Sequence, residues 1–367
     1  MNESILQEYG TNYTTKDYIT NPAIGRDREI KELILLLLTV EKSAILVGKP
    51  GVGKTAIIEG LAYKIKIGEV PEFLKDFQII NIQTAAMLGT TEKGESKVQI
   101  LIEELKKQPK TILFIDEIHM LMNSNSDTAL DFANIFKEGL GRGSIKIVGA
   151  TTTEEYERYI LRDKAFTRRF QRIDVREVTA DETVQIMVGT LPKIEKETGI
   201  KMKYSSYIQQ LIFKFITEIT SEFKRVYELG SRYPDCSLTL LKSAFSYAVF
   251  DNRKEVDITD LEKAIRETKL IYSDVIIKAL PEFRERFKNI YQEEGLVYNN
   301  ETLTYDKVEI KEKEEEKEIE PIFFDREILH KPSDLKVSNS YLLGNEKIEE
   351  EHNSVNRRMG VIEDNGK

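Results

Sequence analysis

The segment from Gly48 to Thr55 has the residue types and the spacing of a phosphate-binding site. It reads GKPGVGKT and fits the pattern G-x-x-x-x-G-K-[ST], after an apolar run and before a helical pattern. Its glycines let successive backbone N–H groups face an anion, while Lys54 supplies charge and Thr55 offers a hydroxyl to magnesium. We expect a nucleotide site here, with a chance glycine-rich turn as the alternative. The predicted nucleotide-binding residues of this segment are Gly48, Lys49, Pro50, Gly51, Val52, Gly53, Lys54 and Thr55.

Two adjacent acids, Asp116 and Glu117, follow the apolar run TILFI at residues 111–115. Such a run predicts a buried strand, and ligands bind at the carboxyl ends of strands in sheets of this kind. Asp116 would hold magnesium through water, and Glu117 would activate the water that attacks a γ-phosphate. An exposed acidic turn after a buried strand is the alternative, but the phosphate loop upstream favours the catalytic interpretation.

The elements that must hold these residues alternate along the chain. Apolar runs typical of strands are separated by amphipathic helical patterns, and this alternation predicts an α/β fold with a parallel sheet covered by helices on both faces. After Asp174 the strand signal fades, and apolar stripes at helical spacing predict a small all-helical lid domain. The strand-like runs are residues 43–47, 77–82, 111–115 and 145–149.

Composition and pattern divide the 367 residues into four segments. Residues 1–21 lack a sustained period and predict an extended leader, and an α/β nucleotide-binding domain is expected at residues 22–175. A helical lid domain is expected at residues 176–278, and one more helix with a charged tail at residues 279–367. Residues 309–320 read EIKEKEEEKEIE without an apolar stripe, so we expect an acidic, flexible tail.

The composition limits the partners and the location that we expect. The formal net charge is −9, so a nucleic-acid surface would have to be a local basic patch. No apolar run approaches the roughly 20 residues that span a membrane, and the first residues do not resemble a secretory signal. We therefore expect a cytoplasmic protein without membrane or nucleic-acid partners. Cys236 and three scattered histidines offer no metal-ligand spacing, and His119 is expected to be a packed residue.

Residues from Asn21 to about Ala248 resemble the first nucleotide-binding module of the Clp family of AAA+ unfoldases and disaggregases. The resemblance implies a P-loop AAA+ fold, with ATP and Mg²⁺ as ligands. It also implies hydrolysis of ATP in a homo-oligomeric ring, expected to be a hexamer, and a protein client. The phrases that carry the resemblance occur in the family's order and are NPAIGRDREI, LVGKPGVGKTAIIEGLA, GEVPEFLK, ILFIDEIHML, IVGATTTEEYERYI and TRRFQ.

The resemblance assigns roles to three further residues on the nucleotide side. Ile24 and Gly25 match the place where the family cradles adenine with backbone groups. Thr152 matches the polar sensor that forms a hydrogen bond with the attacking water or with the γ-phosphate. These three residues would complete the site within one subunit.

The resemblance also assigns roles to residues that reach the site from a neighbouring subunit or from the helical domain. Arg168 and Arg169 match the arginine fingers that reach into the neighbouring subunit's site, whereas without the resemblance the pair would be read as a solvated basic turn. Pro234 and Asp235 match the point where the helical domain returns to the nucleotide. Cys236 replaces the lysine that usually follows this aspartate.

In one loop the sequence departs from the family pattern. The family's translocating loop carries an aromatic residue that grips substrate in the central pore, and Glu92 stands there in GTTEKGE at residues 89–95. An acid lacks the flat apolar face that holds chains of varied sequence. Neither a second ATP module nor an inserted coiled coil is recognised in the sequence, so we expect a reduced relative of the family.

Three functions are therefore considered. The first is a ring-forming, chaperone-type ATPase that remodels a protein client and lacks the pore-loop aromatic. The second is an ATP-gated assembly or scaffold protein that does not thread polypeptide. The third is a nucleic-acid-dependent AAA+ loader, which the acidic charge disfavours.

Overall fold

The computed structural model describes residues 4–39, 42–87, 90–91, 94–122, 145–230, 232–299 and 304–307. The main sheet of these residues has six strands, which are β1 (Gly10–Asn12), β2 (Ser43–Val47), β3 (Gln78–Ile82), β4 (Thr111–Ile115), β5 (Lys146–Thr151) and β6 (Phe170–Asp174). Their order across the sheet is β1-β3-β4-β5-β2-β6. Strands β2 to β6 run parallel, and β1 pairs antiparallel with β3. The carboxyl ends of the parallel strands therefore lie at one edge of the sheet.

Helices flank the sheet and make up most of the described residues after it. In chain order, the α-helices of the described residues are α1 (Ile5–Tyr9), α2 (Asp27–Leu38), α3 (Lys54–Lys66), α4 (Thr84–Met87), α5 (Lys97–Lys107), α6 (Thr153–Glu155), α7 (Lys164–Thr167), α8 (Ala180–Thr198), α9 (Ser206–Ile219), α10 (Asp235–Phe250), α11 (Ile258–Glu267), α12 (Ser273–Arg286) and α13 (Lys288–Glu293). The α/β fold with a mostly parallel sheet is thus the fold that the sequence predicts.

The central strands are buried at every position because both faces of the sheet are covered. All residues of β2 and β4 are buried. Successive side chains of a strand point to opposite faces, so Ile45 joins one hydrophobic core and Leu46 joins the other. Leu101 of α5 closes the first core, and Leu33 of α2 and Ile57 of α3 close the second. Helices on both faces therefore fix the position of the sheet and of the edge at which its parallel strands end.

The amino-terminal residues are more structured than the extended leader that the sequence predicts for residues 1–21. Ser4 caps α1 with its side chain, and Ile5 and Leu6 are buried. The Glu104 carboxylate of α5 accepts hydrogen bonds from the N–H groups of Ile5 and Leu6, both at 3.0 Å. A helix of five residues is too short to show a helical period and is marginal in isolation. Its position therefore depends on these tertiary contacts, which the sequence does not reveal.

The helical region, α8 to α13, packs around a hydrophobic core of its own. Phe215 of α9, Phe245 of α10 and Leu261 of α11 are buried in this core. The region is helical, as predicted, apart from one pair of two-residue strands, β7 (Lys201–Met202) and β8 (Glu255–Val256). Strands of two residues have no detectable sequence period.

Helix α12 crosses the domain boundary that the sequence suggests at residue 278. The helix runs through Pro281 and buries Ala279 and Phe283 against the helical core. The sequence suggests a break here because proline lacks the N–H group that continues a helix. Burial of the neighbouring side chains offsets that loss. The domain boundaries proposed from the sequence remain predictions.

The chain continues after α13 with an antiparallel hairpin of β9 (Leu296–Asn299) and β10 (Thr304–Lys307). Two features singled out in the sequence, Glu92 of the predicted pore loop and the acidic tail at residues 309–367, lie outside the described residues. Within the described part of the chain, no helix is long and apolar enough to cross a membrane.

Candidate nucleotide-binding site

The phosphate loop leaves the end of β2 and leads directly into α3. Because β2 ends at Val47, the loop emerges at the carboxyl edge of the sheet. Gly51 and Gly53 have φ values of +75° and +97°, in the region that favours glycine. A Cβ atom at Gly51 would also approach the Cβ atom of Asp235 to 3.1 Å. The glycines therefore let the loop turn tightly against the helical region.

Lys54, the first residue of α3, is held against the loop that precedes it. Its Nζ donates hydrogen bonds to the carbonyl oxygens of Gly48, at 2.8 Å, and Lys49, at 3.1 Å. Burial lowers the pKa of the Lys54 ammonium group, while the charges of Asp116 and Glu155 oppose that shift. Gly48 and Lys49 thus contribute backbone oxygens that keep Lys54 beside the phosphate-binding loop.

Arg26 supports the phosphate loop, and its role was not predicted from the sequence. The residue is only 2% exposed. Its Nη1 donates a hydrogen bond to Glu29 Oε1 at 2.8 Å, and its Nη2 donates to the carbonyl oxygen of Val52. The only signal in the sequence is an acid three residues after the arginine at the start of a helix, which is a common surface pair. The burial of the pair gives it a structural role.

The predicted acid pair lies at the same sheet edge as the phosphate loop. Thr55 Oγ1 donates a hydrogen bond to Asp116 Oδ2 at 3.2 Å. Glu117 is exposed and has a φ of +52°, in the left-handed region. This conformation is strained for a residue with a side chain, so the surrounding contacts must stabilise it. The two acids therefore occupy different environments, one beside Thr55 and one at the mouth of the site.

Thr55 and Asp116 fit a magnesium ion. Hydroxyl and carboxylate oxygens are the ligands that Mg²⁺ prefers, and the hydrogen bond between them places both beside one point. Among the described residues, no group of three or more His, Cys, Asp and Glu side chains could hold a metal ion. A magnesium ion at this point would therefore need phosphate oxygens and water to complete its coordination.

Thr152 follows β5 and caps the short helix α6. Its Oγ1 accepts a hydrogen bond from the Glu155 N–H at 3.3 Å, and Glu155 Oε2 accepts one from the Thr152 N–H at 2.9 Å. This reciprocal capping box fixes the position of the Thr152 side chain. A hydroxyl that accepts one hydrogen bond can still donate its proton, so Thr152 can contact a ligand.

Glu155 lies at the centre of a hydrogen-bonded network next to Thr152. Its Oε2 also accepts a hydrogen bond from Thr151 Oγ1 at 3.1 Å and lies 3.2 Å from His119 Nδ1. Burial would raise the pKa of Glu155, but the hydrogen bonds from Thr152, the charge of His119 and the hydrogen bond from Thr151 together lower it. The His119 ring stacks on Tyr159, with ring centroids 5.8 Å apart. His119 is therefore both packed and hydrogen-bonded.

These groups surround one cavity of about 710 Å³, a volume typical of small-molecule sites. The predicted residues of the α/β part that line it are Ile24, Pro50, Gly51, Val52, Gly53, Lys54, Thr55, Asp116, Glu117 and Thr152. The helical region contributes Ile186, Thr190, Pro234, Asp235 and Leu238. The helical region also contributes the charged residues Lys193, Glu197 and Lys242, so both sides of the cavity carry charged side chains.

Ile24 packs closely against α8. A Cβ atom added to Gly189 of α8 would lie 1.9 Å from Ile24 Cδ1, so a glycine permits this approach. Thr20 Oγ1 donates a hydrogen bond to the Gly189 carbonyl oxygen at 2.9 Å. Gly25, with a φ of +72°, turns the chain towards α2 and does not line the cavity. The role of Gly189 was not predicted, because a glycine within a helix does not indicate what packs on it.

The helical region meets the phosphate loop at the start of α10. Pro234 and Asp235 both line the cavity. Cys236 is fully buried, and its Sγ lies 3.8 Å from Arg225 Nη1. The position after Asp235 therefore faces the interior of the helical region and offers no side chain to a nucleotide.

Arg168 and Arg169 lie at the opposite end of the sheet from the phosphate loop. They precede Phe170, the first residue of β6, which pairs with Ser43 at the start of β2. The phosphate loop follows the other end of β2, and a five-residue strand is about 16 Å long. Neither arginine lines the cavity. The structure therefore does not bring the two arginines to the chain's own site.

Comparison with known proteins gives the family of this site. Residues 44–176 match the family described as ATPase family associated with various cellular activities (AAA). The chaperone protein ClpB of Aquifex aeolicus is 42% identical over 54% of this chain and 21% of that protein. ClpB of Clostridium perfringens is 36% identical over 75% of this chain and 31% of that protein. The chain carries a Clp-type AAA+ ATPase module.

Solved structures of Hsp104 from S. cerevisiae share the fold of this AAA+ module. The extended Hsp104:casein complex has a TM-score of 0.60 and 31% identity, over 71% of this chain and 45% of that chain. The Hsp104-ADP complex has a TM-score of 0.62 and 30% identity, over 78% of this chain and 48% of that chain. The chain thus spans less than half the length of these Hsp104 chains and less than a third of the two ClpB proteins.

The predicted residues of the AAA+ module fall into two spatial groups. The phosphate loop from Pro50 to Thr55, the acid pair, Thr152 and Asp235 line one cavity, whereas Gly48 and Lys49 do not. Arg168 and Arg169 lie at the far end of β6. Arg168 and Arg169 therefore stand apart from the other predicted site residues within the chain.

Proposed function

We propose that the AAA+ module binds and hydrolyses ATP in a homo-oligomeric ring, expected to be a hexamer. The arrangement of the site carries the proposal, because Lys54, Asp116 and Glu117 line one cavity whereas Arg168 and Arg169 lie at the other end of the sheet. Arginines at that distance cannot serve the cavity of their own chain. They can serve the cavity of a neighbouring copy, and a closed ring gives every copy such a neighbour.

Each residue of the cavity has a distinct role in this proposal. The N–H groups of the phosphate loop and Lys54 would bind the phosphates of ATP. Thr55 and Asp116 would hold Mg²⁺, which neutralises charge on the phosphates. Glu117 would accept a proton from the attacking water, and Thr152 would orient that water or the γ-phosphate by a hydrogen bond.

The remaining predicted residues would hold the base and complete the site. Ile24 and the backbone at Gly25 would cradle adenine, with Pro234 and Asp235 closing the site from the helical region. Ile24 and Asp235 line the cavity from its two sides, which supports this assignment. Arg168 or Arg169 of a neighbouring copy would stabilise the charge that develops on the transferring phosphoryl group.

Replacement of Glu117 tests the proposed hydrolysis. In the Glu117→Gln variant we expect ATP turnover to fall by about a hundredfold or more, because the water loses its proton acceptor. Binding of a fluorescent ATP analogue should persist, since Glu117 does not hold the phosphates. Glu157→Gln, at an exposed position, is the matched control and should retain turnover. Equal turnover in the wild type and in Glu117→Gln would contradict the assignment.

We further propose that the energy of hydrolysis acts on a protein client. The ClpB relatives are named chaperone proteins, and one of the similar Hsp104 structures is a casein complex. In this proposal Glu92 weakens the grip of the central pore, because it replaces an aromatic residue with an acid. Glu92→Tyr should therefore increase ATP-dependent unfolding of a tagged fluorescent protein, and Glu92→Gln is the matched control.

The second candidate, an ATP-gated scaffold, is favoured by the same acid at position 92. A scaffold would assemble with ATP but would unfold no tagged protein, even as the Glu92→Tyr variant. Unfolding by the wild type would exclude it. A nucleic-acid-dependent loader is disfavoured by the net charge of −9, and stimulation of turnover by DNA would support it instead. The cytoplasmic location stays a prediction.

A further inference from the structure

Thr84 lies beside the acid pair because β3 and β4 are parallel neighbours. Ile82 pairs with Ile115 at the ends of the two strands, so Thr84 and Asp116, which follow these residues closely, leave the sheet side by side. Thr84 Oγ1 donates a hydrogen bond to the Asp116 carbonyl oxygen at 2.6 Å, and Thr84 is only 6% exposed. This hydrogen bond ties the chain after β3 to the backbone of the acid pair.

The peptide group between Asp116 and Glu117 is held on both of its polar sides. Its carbonyl oxygen accepts the hydrogen bond from Thr84, and its N–H donates to Asp116 Oδ1 at 3.0 Å. The orientation of this peptide group sets the φ of Glu117, which is +52°. A glutamate disfavours the left-handed region, so a freed peptide group would let Glu117 relax to the right-handed region. Because φ sets the direction of the side chain, this change would move the Glu117 carboxylate relative to the cavity that it lines.

We infer that Thr84 is a positioning residue that keeps Glu117 in the orientation needed for hydrolysis. Thr84 does not line the cavity, so it acts on the reaction only through the backbone of the acid pair. The inference rests on the proposed ATP hydrolysis. Thr84 should therefore affect the rate of the chemical step and leave nucleotide binding unchanged.

Removal of the Thr84 hydroxyl tests this role. Thr84→Val keeps the shape of the side chain and loses the donor, and we expect kcat to fall about tenfold, the effect of one lost hydrogen bond. The KM and the affinity for a fluorescent ATP analogue should be unchanged. Thr84→Ser keeps the donor and should retain most of the wild-type kcat. If valine prevents folding, Thr84→Ala provides the same comparison with serine.

A double variant distinguishes positioning from a general structural role. In the Glu117→Gln background, Thr84→Val should not slow the residual turnover further, because there is no catalytic carboxylate left to orient. Two results would overturn the inference: a wild-type kcat in Thr84→Val, or a kcat in Thr84→Ser that is as low as in Thr84→Val. The proposed function would survive either result as long as Glu117→Gln still abolished turnover. If Glu117→Gln itself had no effect, the proposed function would fail before the role of Thr84 came into question.

Discussion

At the scale of single residues, Arg26 shows how a glycine-rich loop is anchored. The loop has few side chains that could pack, so its backbone needs partners from elsewhere. The Arg26 and Glu29 side chains are only 3% and 7% exposed, and Arg26 also donates to the Val52 carbonyl oxygen. Removal of the arginine would leave a buried carboxylate without this counter-charge and would take a donor from the loop. A buried pair broken on one side is costly to stability.

We expect Arg26→Met to lower the free energy of unfolding by about 3 kcal/mol, as is typical when one member of a buried ion pair is removed. Chemical denaturation of the full chain would measure the loss. Arg28→Met, at an exposed position two residues away, is the matched control and should change stability by less than about 0.5 kcal/mol. The double variant Arg26→Met, Glu29→Met should recover most of the loss. Similar losses in Arg26→Met and Arg28→Met would contradict the structural role.

The roles of residues differ in how well they can be predicted from the sequence. Lys54 and Glu117 could be predicted because their chemistry depends on residue type and local spacing. The roles of Arg26, Thr84 and Gly189 depend on contacts with Val52, Asp116 and Ile24, which lie far away along the chain. No local spacing encodes such contacts. These supporting residues became visible only in the structure.

At the scale of elements, the start of α8 is held by a charged cap. Thr179 Oγ1 accepts a hydrogen bond from the Glu182 N–H at 3.2 Å, and Glu182 Oε2 accepts one from the Thr179 N–H at 2.7 Å. Arg176 donates to both carboxylate oxygens of Glu182, at 2.8 and 2.6 Å. The Arg176 hydrogen bonds are the largest cause that lowers the pKa of Glu182, from 4.5 to about 2. The cap therefore stabilises the helix that forms one wall of the cavity.

The contribution of Glu182 to stability should depend on pH. Its pKa is lower in the folded state, so its contribution is complete above about pH 4.5 and is lost as the pH falls towards about 2. The difference in free energy of unfolding between the wild type and Glu182→Gln should therefore be constant from about pH 7 to pH 5 and shrink below that. Chemical denaturation at several pH values would measure it, with the exposed Glu222→Gln as control. A difference that grew on acidification would contradict the assigned pairing.

The elements show why some of the fold could be predicted and some could not. The strands at residues 43–47 and 111–115 have the predicted bounds, because buried parallel strands are continuous apolar runs. Helix α1 and the strands β7 and β8 are too short for any period to develop. Helix α12 continues through Pro281 because its buried neighbours stabilise it, which is tertiary information. The hydrophobic pattern of the sequence therefore predicts elements that are long enough to bury an apolar run or stripe.

At the scale of the whole molecule, the proposed ATP hydrolysis needs two copies of the chain for one complete site. One copy supplies the cavity with Lys54, Asp116 and Glu117. In the proposed ring a neighbouring copy would supply Arg168 and Arg169, which lie at the opposite end of the sheet from the phosphate loop. Two variants that are each inactive because of a substitution in a different half of the site should therefore regain ATP turnover when they are mixed.

Mixing Glu117→Gln with the double variant Arg168→Ala, Arg169→Ala tests this claim most directly. Each protein alone should have little ATP turnover, and the mixture should regain it. In randomly mixed rings about a quarter of the sites would combine an intact Glu117 with intact neighbouring arginines. A mixture of Glu117→Gln with Lys54→Ala should stay inactive, since both lesions lie in the same half of the site. Turnover in the first mixture no higher than the average of its two components would contradict the shared site.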